Sequence, residues 1–166
     1  MEIISIGKQH YQAIAEIYKE GIDTGIATFE TSVPSWETWD EGKLKHSRFL
    51  AVENNVVLGW IALSKVSSRC VYNGVAEVSV YVSENHRGKG VGKFLMENVI
   101  TESEANGIWT LQSGMFAENE ATIALHKMFG FRIIGYREKI GKLDGVWKDN
   151  LMMERRSKIV GIEWAV

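Results

Sequence analysis

The sequence predicts one domain built as a mixed α/β sheet with helices on its faces. Its 166 residues are 45% hydrophobic and 24% charged, which suits one packed core and leaves no room for two domains of ordinary size. Segments with a helical apolar period interleave with short β-branched runs, so helices should lie on a sheet. One such run, Val80-Tyr81-Val82, leads straight into the glycine-rich stretch Arg87-Gly88-Lys89-Gly90-Val91-Gly92. That is a strand-to-helix turn of the kind that meets ligands.

Ala13, Ile14, Ile17 and Tyr18 recur at helical spacing, so a first helix runs from His10 to about Gly21. Asp23 to Pro34 contains the only proline and no helical period, and reads as a loop or broken helix able to wall a cleft. Ser35 then caps a second helix reaching about His46, with Trp36, Trp39 and Leu44 on its apolar side. Arg48 to Glu53 and Val56 to Ser64, joined by Asn54-Asn55, have the pattern of an antiparallel hairpin. Val75 to Val82 is the next strand. Alternation turns Val78, Val80 and Val82 to one face and Glu77, Ser79 and Tyr81 to the other. A helix follows from about Gly90 to Asn106, carrying Val91, Phe94, Leu95 and Val99, and Gly107 stops it. Trp109 to Phe116 reads as strand, and Asn119 to Phe129 as helix with Ala121, Ala124, Leu125 and Met128 inward. Phe131 to Arg137 is strand, Gly141 to Gly145 a turn region, and Trp147 to about Arg155 the last strand. The domain spans residues 1–156, and 157–166, which include Trp164, form a tail.

Charge and composition narrow the partners. Nineteen basic and 21 acidic residues give a net charge of −2, without the basic excess of a nucleic-acid binder. The single cysteine, Cys70, excludes an internal disulfide, and Met1 to Lys8 lack a basic-then-apolar signal pattern. No apolar run approaches the roughly 20 residues that cross a bilayer. These features predict a soluble cytoplasmic protein with no membrane partner and no nucleic-acid partner. His10, His46 and His86 have no metal-ligand spacing with Cys70 or one another, so no metal is expected.

The stretch from Val80 to Gly92 has the physics of an anion cradle. Glycines let the backbone approach a ligand closely, and amides at a helix start point at negative oxygens. Arg87 and Lys89 add full charges. A magnesium-nucleotide loop would follow its lysine with Ser or Thr, yet Phe94 follows Lys93. A dinucleotide loop would read G-x-G-x-x-G, yet Gly88, Gly90 and Gly92 stand two apart. A glycine-rich turn without ligand is the other reading of these residues alone. Likewise, Glu77 reads either as a solvated glutamate on an open sheet face or as a general base, and Arg69 as a surface arginine or a carboxylate fork.

Arg87-Gly88-Lys89-Gly90-Val91-Gly92 resembles the (R/Q)-x-x-G-x-(G/A) element of the GCN5-related N-acetyltransferases. Asn119-x-Ala121 with Leu125-His126-x-x-x-Gly130-Phe131 is similar to their second acetyl-CoA motif. Within that superfamily, Arg69-x-x-Tyr72-x-x-x-x-Glu77-x-Ser79-Val80-Tyr81-Val82, the Phe29-Glu30 to Trp39 segment and Gly145-Val146-Trp147-Lys148-Asp149 resemble phosphinothricin and methionine sulfoximine N-acetyltransferases. The resemblance implies a GNAT fold, a mixed and mostly antiparallel sheet splayed between its fourth and fifth strands with helices on both faces. It implies acetyl-CoA as co-substrate, held by Val80, Tyr81, Val82, Arg87, Gly88, Lys89, Gly90, Val91, Gly92 and Asn119. Glu77 is then the candidate base. His126 stands where many family members carry a tyrosine that protonates the departing thiolate. Phe29, Glu30, Arg69, Tyr72 and Trp147 would bind the acceptor, a small amino acid or analogue acetylated on its α-amine, in a homodimer. The alternatives are another amine acceptor, such as a protein N-terminus, polyamine or aminoglycoside, or a non-catalytic acetyl-CoA sensor.

Overall fold

The computed structural model describes residues 1–163; Trp164 of the expected tail lies outside them. Seven strands form one sheet: β1 (Glu2–Ser5), β2 (Phe49–Glu53), β3 (Val56–Lys65), β4 (Val75–Val82), β5 (Thr110–Phe116), β6 (Arg132–Leu143) and β7 (Val146–Arg156). Their order is β1-β2-β3-β4-β5-β7-β6. The helices are α1 (Tyr11–Asp23), α2 (Trp36–Glu41), α3 (Val91–Ala105) and α4 (Glu120–Met128).

All neighbouring strands are antiparallel except β4 and β5. That parallel pair has three rungs, Val75 to Thr110, Ala76 to Leu111 and Glu77 to Gln112. Beyond them β5 stays paired with β7 as far as Phe116, while β4 continues along β3 to Val82. The sheet therefore opens as a fork, with Glu77 and Gln112 at its apex. The start of the pair is pinned at Gly74, whose carbonyl accepts from Trp109 N (2.8 Å) and Thr110 N (3.1 Å). The Trp109 indole lies over Gly74 so closely that a Cβ there would stand 1.9 Å from it.

Alternation divides the core in two. On one face Leu95, Met96 and Val99 of α3 pack on Ile61, Leu63, Val78, Leu111 and Met153. On the other, Ile14, Ile17 and Trp39 of α1 and α2 pack on Leu50, Trp60 and Ala62. Strand β3 serves both faces, which is why it reads as a continuous apolar run. Trp60 is fully buried and stacks on Tyr81 at 4.8 Å and Tyr18 at 5.7 Å. Truncating an aromatic in such a place costs about 3–5 kcal/mol.

Several elements differ from the sequence expectation. Strand β1 was not foreseen; its four residues acquire strand geometry through pairing with β2, Ile3 opposite Ala51. Helix α2 begins as expected, with Ser35 Oγ accepting from Thr38 N, but ends at Glu41 instead of His46. Leu44 N donates to Leu63 O at 2.8 Å and draws the chain onto β3. Strand β6 continues past Arg137 to Leu143, with a register irregularity between Arg137 and Gly141 that breaks the alternation. On α4, Ala121, Ala124 and Met128 are exposed and His126 is buried; the expected inward stripe faces the fork, where no sheet lies beneath it. Arg156 folds the chain beyond β7 back, donating to Val160 O (2.7 Å) and Gly161 O (2.5 Å).

Candidate active site

The open end of the fork carries the glycine-rich turn. A 3-10 turn at Glu84–His86 leads to Arg87 in extended geometry, whose Nε donates to Val82 O at 3.3 Å. Gly88 (φ 73°) and Gly90 (φ 82°) lie in the left-handed region, where a side chain would be strained. The first helical bond of α3 runs from Phe94 N to Gly90 O. The amides of Val91, Gly92 and Lys93 therefore have no partner within the helix and carry its positive dipole end. Apart from the adjoining residues, nothing lies within 4 Å of where a Cβ would stand at Gly88 or Gly90, so the turn has room for a phosphate.

The turn forms one end of an open cleft of about 1030 Å³ that runs down the fork. Ser83 N donates to Leu58 O of β3. Alternation then turns the backbone groups of Val80 and Val82 to the side from which β5 has departed. Apart from Val82 O, which accepts from Arg87 Nε, these groups have no strand partner, and they suit the amide-bearing arm of coenzyme A. Of the expected cofactor residues, Val80, Tyr81, Val82, Arg87, Gly88, Gly90, Val91, Gly92 and Asn119 line the cleft, and Lys89 does not. Tyr81 sits in the aromatic stack with Trp60 and Tyr18 (4.9 Å). Burial, and then the neighbouring Tyr18, raise its hydroxyl above the ordinary tyrosine range.

Glu77 lines the cleft at the apex, its Oε2 accepting from Gln112 Nε2 at 3.2 Å. It belongs to a polar row set by strand register: Ser64 of β3 opposite Glu77, Gln112 of β5, Glu154 of β7 and Arg132 of β6. Lys43, from the connection between α2 and β2, reaches over this row. Its Nζ donates to Ser64 Oγ and Ser79 Oγ, both at 3.1 Å. Burial lowers the Lys43 ammonium from its ordinary range, and the Glu77 carboxylate pulls it back up. Sequence reading missed Lys43 because the expected helix ran through it. Its only signal was Gly42, which ends α2.

The α1–α2 connection forms a strap across the fork. Asn119 caps α4, its Oδ1 accepting from Thr122 N (3.3 Å), and its Nδ2 donates to Ile26 O of the strap (3.2 Å). Phe29 meets Phe116 of β5 edge-on at 4.6 Å and lies against Gly141 of β6, where a Cβ would come within 2.9 Å of its ring. Phe29 and Glu30 thus line the cleft, as expected. Arg69, Tyr72 and Trp147 do not. Arg69 lies over the Tyr72 ring at 5.7 Å, Lys142 lies over the Trp147 ring at 4.8 Å, and all three residues are exposed outside the cleft.

His126 is 1% exposed. Its Nδ1 lies 2.7 Å from Thr122 O, and a carbonyl only accepts, so Nδ1 carries a proton. Burial lowers its pKa from the ordinary histidine value, against the Thr122 hydrogen bond, which raises it. The ring meets Phe131 edge-on at 4.8 Å. The ring thus packs within the core and also lines the cleft. Among the described residues no group of three or more His, Cys, Asp or Glu is placed to hold a metal, and no helix is long and apolar enough to cross a membrane.

A parallel strand pair that parts beyond its third rung, with a carboxylate at the apex and the free amides of a helix start at the open end, is an arrangement suited to coenzyme A-dependent acyl transfer. Residues 7–131 match the Acetyltransferase (GNAT) family, and the chain belongs to that family of N-acetyltransferases. It is 33% identical to YwnH of Bacillus subtilis over 140 residues, 81% of this chain and 85% of that one. It is 28% identical to the L-methionine sulfoximine/L-methionine sulfone acetyltransferase of Salmonella typhimurium over 159 residues, 93% of this chain and 92% of that one. Its fold matches the crystal structure of a phosphinothricin acetyltransferase from Sinorhizobium meliloti in complex with acetyl-CoA. The TM-score is 0.88 at 25% identity, over 99% of this chain and 92% of that one.

Proposed function

We propose that the protein transfers an acetyl group from acetyl-CoA to the α-amine of a small amino acid or analogue, with phosphinothricin, methionine sulfoximine and methionine sulfone as candidate acceptors. The observation that carries this reading is Glu77, a carboxylate at the apex of the fork and at the inner end of the cleft that begins at the phosphate-accepting turn. The relatives named above support the substrate class.

Acetyl-CoA supplies an activated thioester. An ammonium has no lone pair for attack, so Glu77 takes a proton from the acceptor, directly or through a water. The Val80 and Val82 amides, facing the fork, donate to the oxygen on which negative charge develops. Arg87, Gly88 and Gly90 with the first amides of α3 hold the pyrophosphate, and Phe29 and Glu30 wall the acceptor end. His126 holds α4 in place.

The reading includes a single domain through Arg156 and a cytoplasmic homodimer. The uncovered apolar side chains Ile133, Ile134, Tyr136, Ile140, Val146 and Trp147 on β6 and β7 support the dimer. Its acceptor sites would lie near the interface.

The test is acetyl-CoA-dependent thiol release against those three analogues, common amino acids, a polyamine, an aminoglycoside and short peptides, with a no-acceptor control. Turnover confined to amino acids and their analogues is expected, and Glu77→Gln should lower kcat by about 100-fold or more while leaving acetyl-CoA affinity intact. Turnover confined to the polyamine, aminoglycoside or peptides overturns the substrate class. Undiminished turnover by Glu77→Gln removes the base.

A further inference from the structure

The Lys43 amine is more than a stray charge under the sheet. Ser64 stands directly across the β3–β4 ladder from Glu77, and Ser79 follows two residues along β4 on the same face. An ammonium bridging both hydroxyls at 3.1 Å therefore lies within one side-chain row of the Glu77 carboxylate. The backbone fixes it there through the Leu44 N to Leu63 O bond. Each serine oxygen accepts from Lys43, and Ser79 also lines the cleft.

The other groups around Glu77 do not duplicate this charge. Gln112 of β5 is neutral, and burial keeps Tyr18 of α1 and Tyr81 of β4 protonated. Glu30 of the strap is an acid, and Arg137 of β6 lines the cleft from the far limb of the fork. Farther along the row, Glu154 and Arg132 close on each other at 2.5 Å.

We propose that Lys43 is a positioning residue for acyl transfer: its ammonium, anchored on Ser64 and Ser79, lays a fixed positive charge beside the Glu77 carboxylate and disfavours a second ammonium in the acceptor site. The proton lost by the acceptor nitrogen goes to a Glu77 carboxylate oxygen, and Lys43 keeps its own. The inference rests on Glu77 being the base.

The test uses the full chain and the pH dependence of kcat/KM for the best acceptor of the panel. Lys43→Gln keeps hydrogen-bond donors for the serines and removes the charge. Lys43→Arg keeps the charge. The acid limb should move up by about one pH unit in Lys43→Gln and stay in place in Lys43→Arg, with the acetyl-CoA Kd unchanged in both. Ser79→Ala, which removes one anchor, should move the limb the same way by less, and carries the test if Lys43→Gln does not fold. An acid limb that coincides with wild type in the folded charge-removing variant, or in Ser79→Ala in its place, overturns the inference. So does a limb that moves equally in Lys43→Arg. If Glu77→Gln loses the acid limb while Lys43→Gln keeps it, Lys43 fails alone. If Glu77→Gln keeps the wild-type limb, the base assignment fails and the Lys43 role with it.

Discussion

Asn119 is shared between two jobs that substitution can separate. Its Oδ1 caps α4 through Thr122 N and its Nδ2 ties the strap through Ile26 O. Loss of an N-cap costs about 1 kcal/mol, and loss of one ordinary hydrogen bond about 1 kcal/mol. Asn119→Ala removes both and should cost about 2 kcal/mol, a fall of about 1 M in urea midpoint at an m-value of about 2 kcal/mol/M. Serine caps well but is too short to reach Ile26, so Asn119→Ser should cost about 1 kcal/mol. In steady-state kinetics both variants should raise the acceptor KM, because the strap carries Phe29 and Glu30, and leave acetyl-CoA affinity within about twofold (about 0.4 kcal/mol). Equal stability of the alanine and serine variants would refute the cap. A tenfold loss of acetyl-CoA affinity with an unchanged acceptor KM would refute the tether and mark Asn119 as an acetyl-CoA contact.

Two further predictions concern stability. Gly74→Ala places a Cβ 1.9 Å from the Trp109 indole, and overpacking of this kind costs about 1–3 kcal/mol; a Tm fall of about 5 °C with a shift in tryptophan fluorescence is expected, and an unchanged melt would mean the indole has room to move. His126 has a folded pKa below its unfolded value of about 6.5, so between the two the unfolded chain binds more protons. Its contribution is complete above the unfolded value and is lost as pH falls through that window to the folded one. Urea midpoints from pH 8 to 5 should fall accordingly in the wild type and be flatter in His126→Gln; parallel slopes would show that His126 is not the group responsible.

The fold class was legible because period and alternation are local. Val78, Val80 and Val82 against Glu77, Ser79 and Tyr81, and the glycine turn after them, follow from the chain itself. What sequence reading missed depends on partners far along it. Strand β1 exists because β2 lies beside it, and β6 extends because β7 holds its outer half. Arg69, Tyr72 and Trp147 were placed by motif position, and the segments that carry them lead the side chains to the outer surface. Lys43 was hidden because a helix that stops five residues early turns a solvent-facing lysine into one laid on the sheet. The inward stripe of α4 was recognised as apolar, but no local pattern shows that the sheet beneath it has forked.

The strand order has a consequence for how the chain is made. Strand β7 lies between β5 and β6, and its register with β5 joins Thr110 to Arg156. As the polypeptide emerges from the ribosome, β5 has only its three-rung contact with β4 until the last strand appears, and β6 has no partner at all. Closing the far limb thus waits on synthesis through Arg156 and on a long loop closure. Nascent chains halted before Val146 should bind chaperones and fall to proteases, while β1 to β4 can already associate.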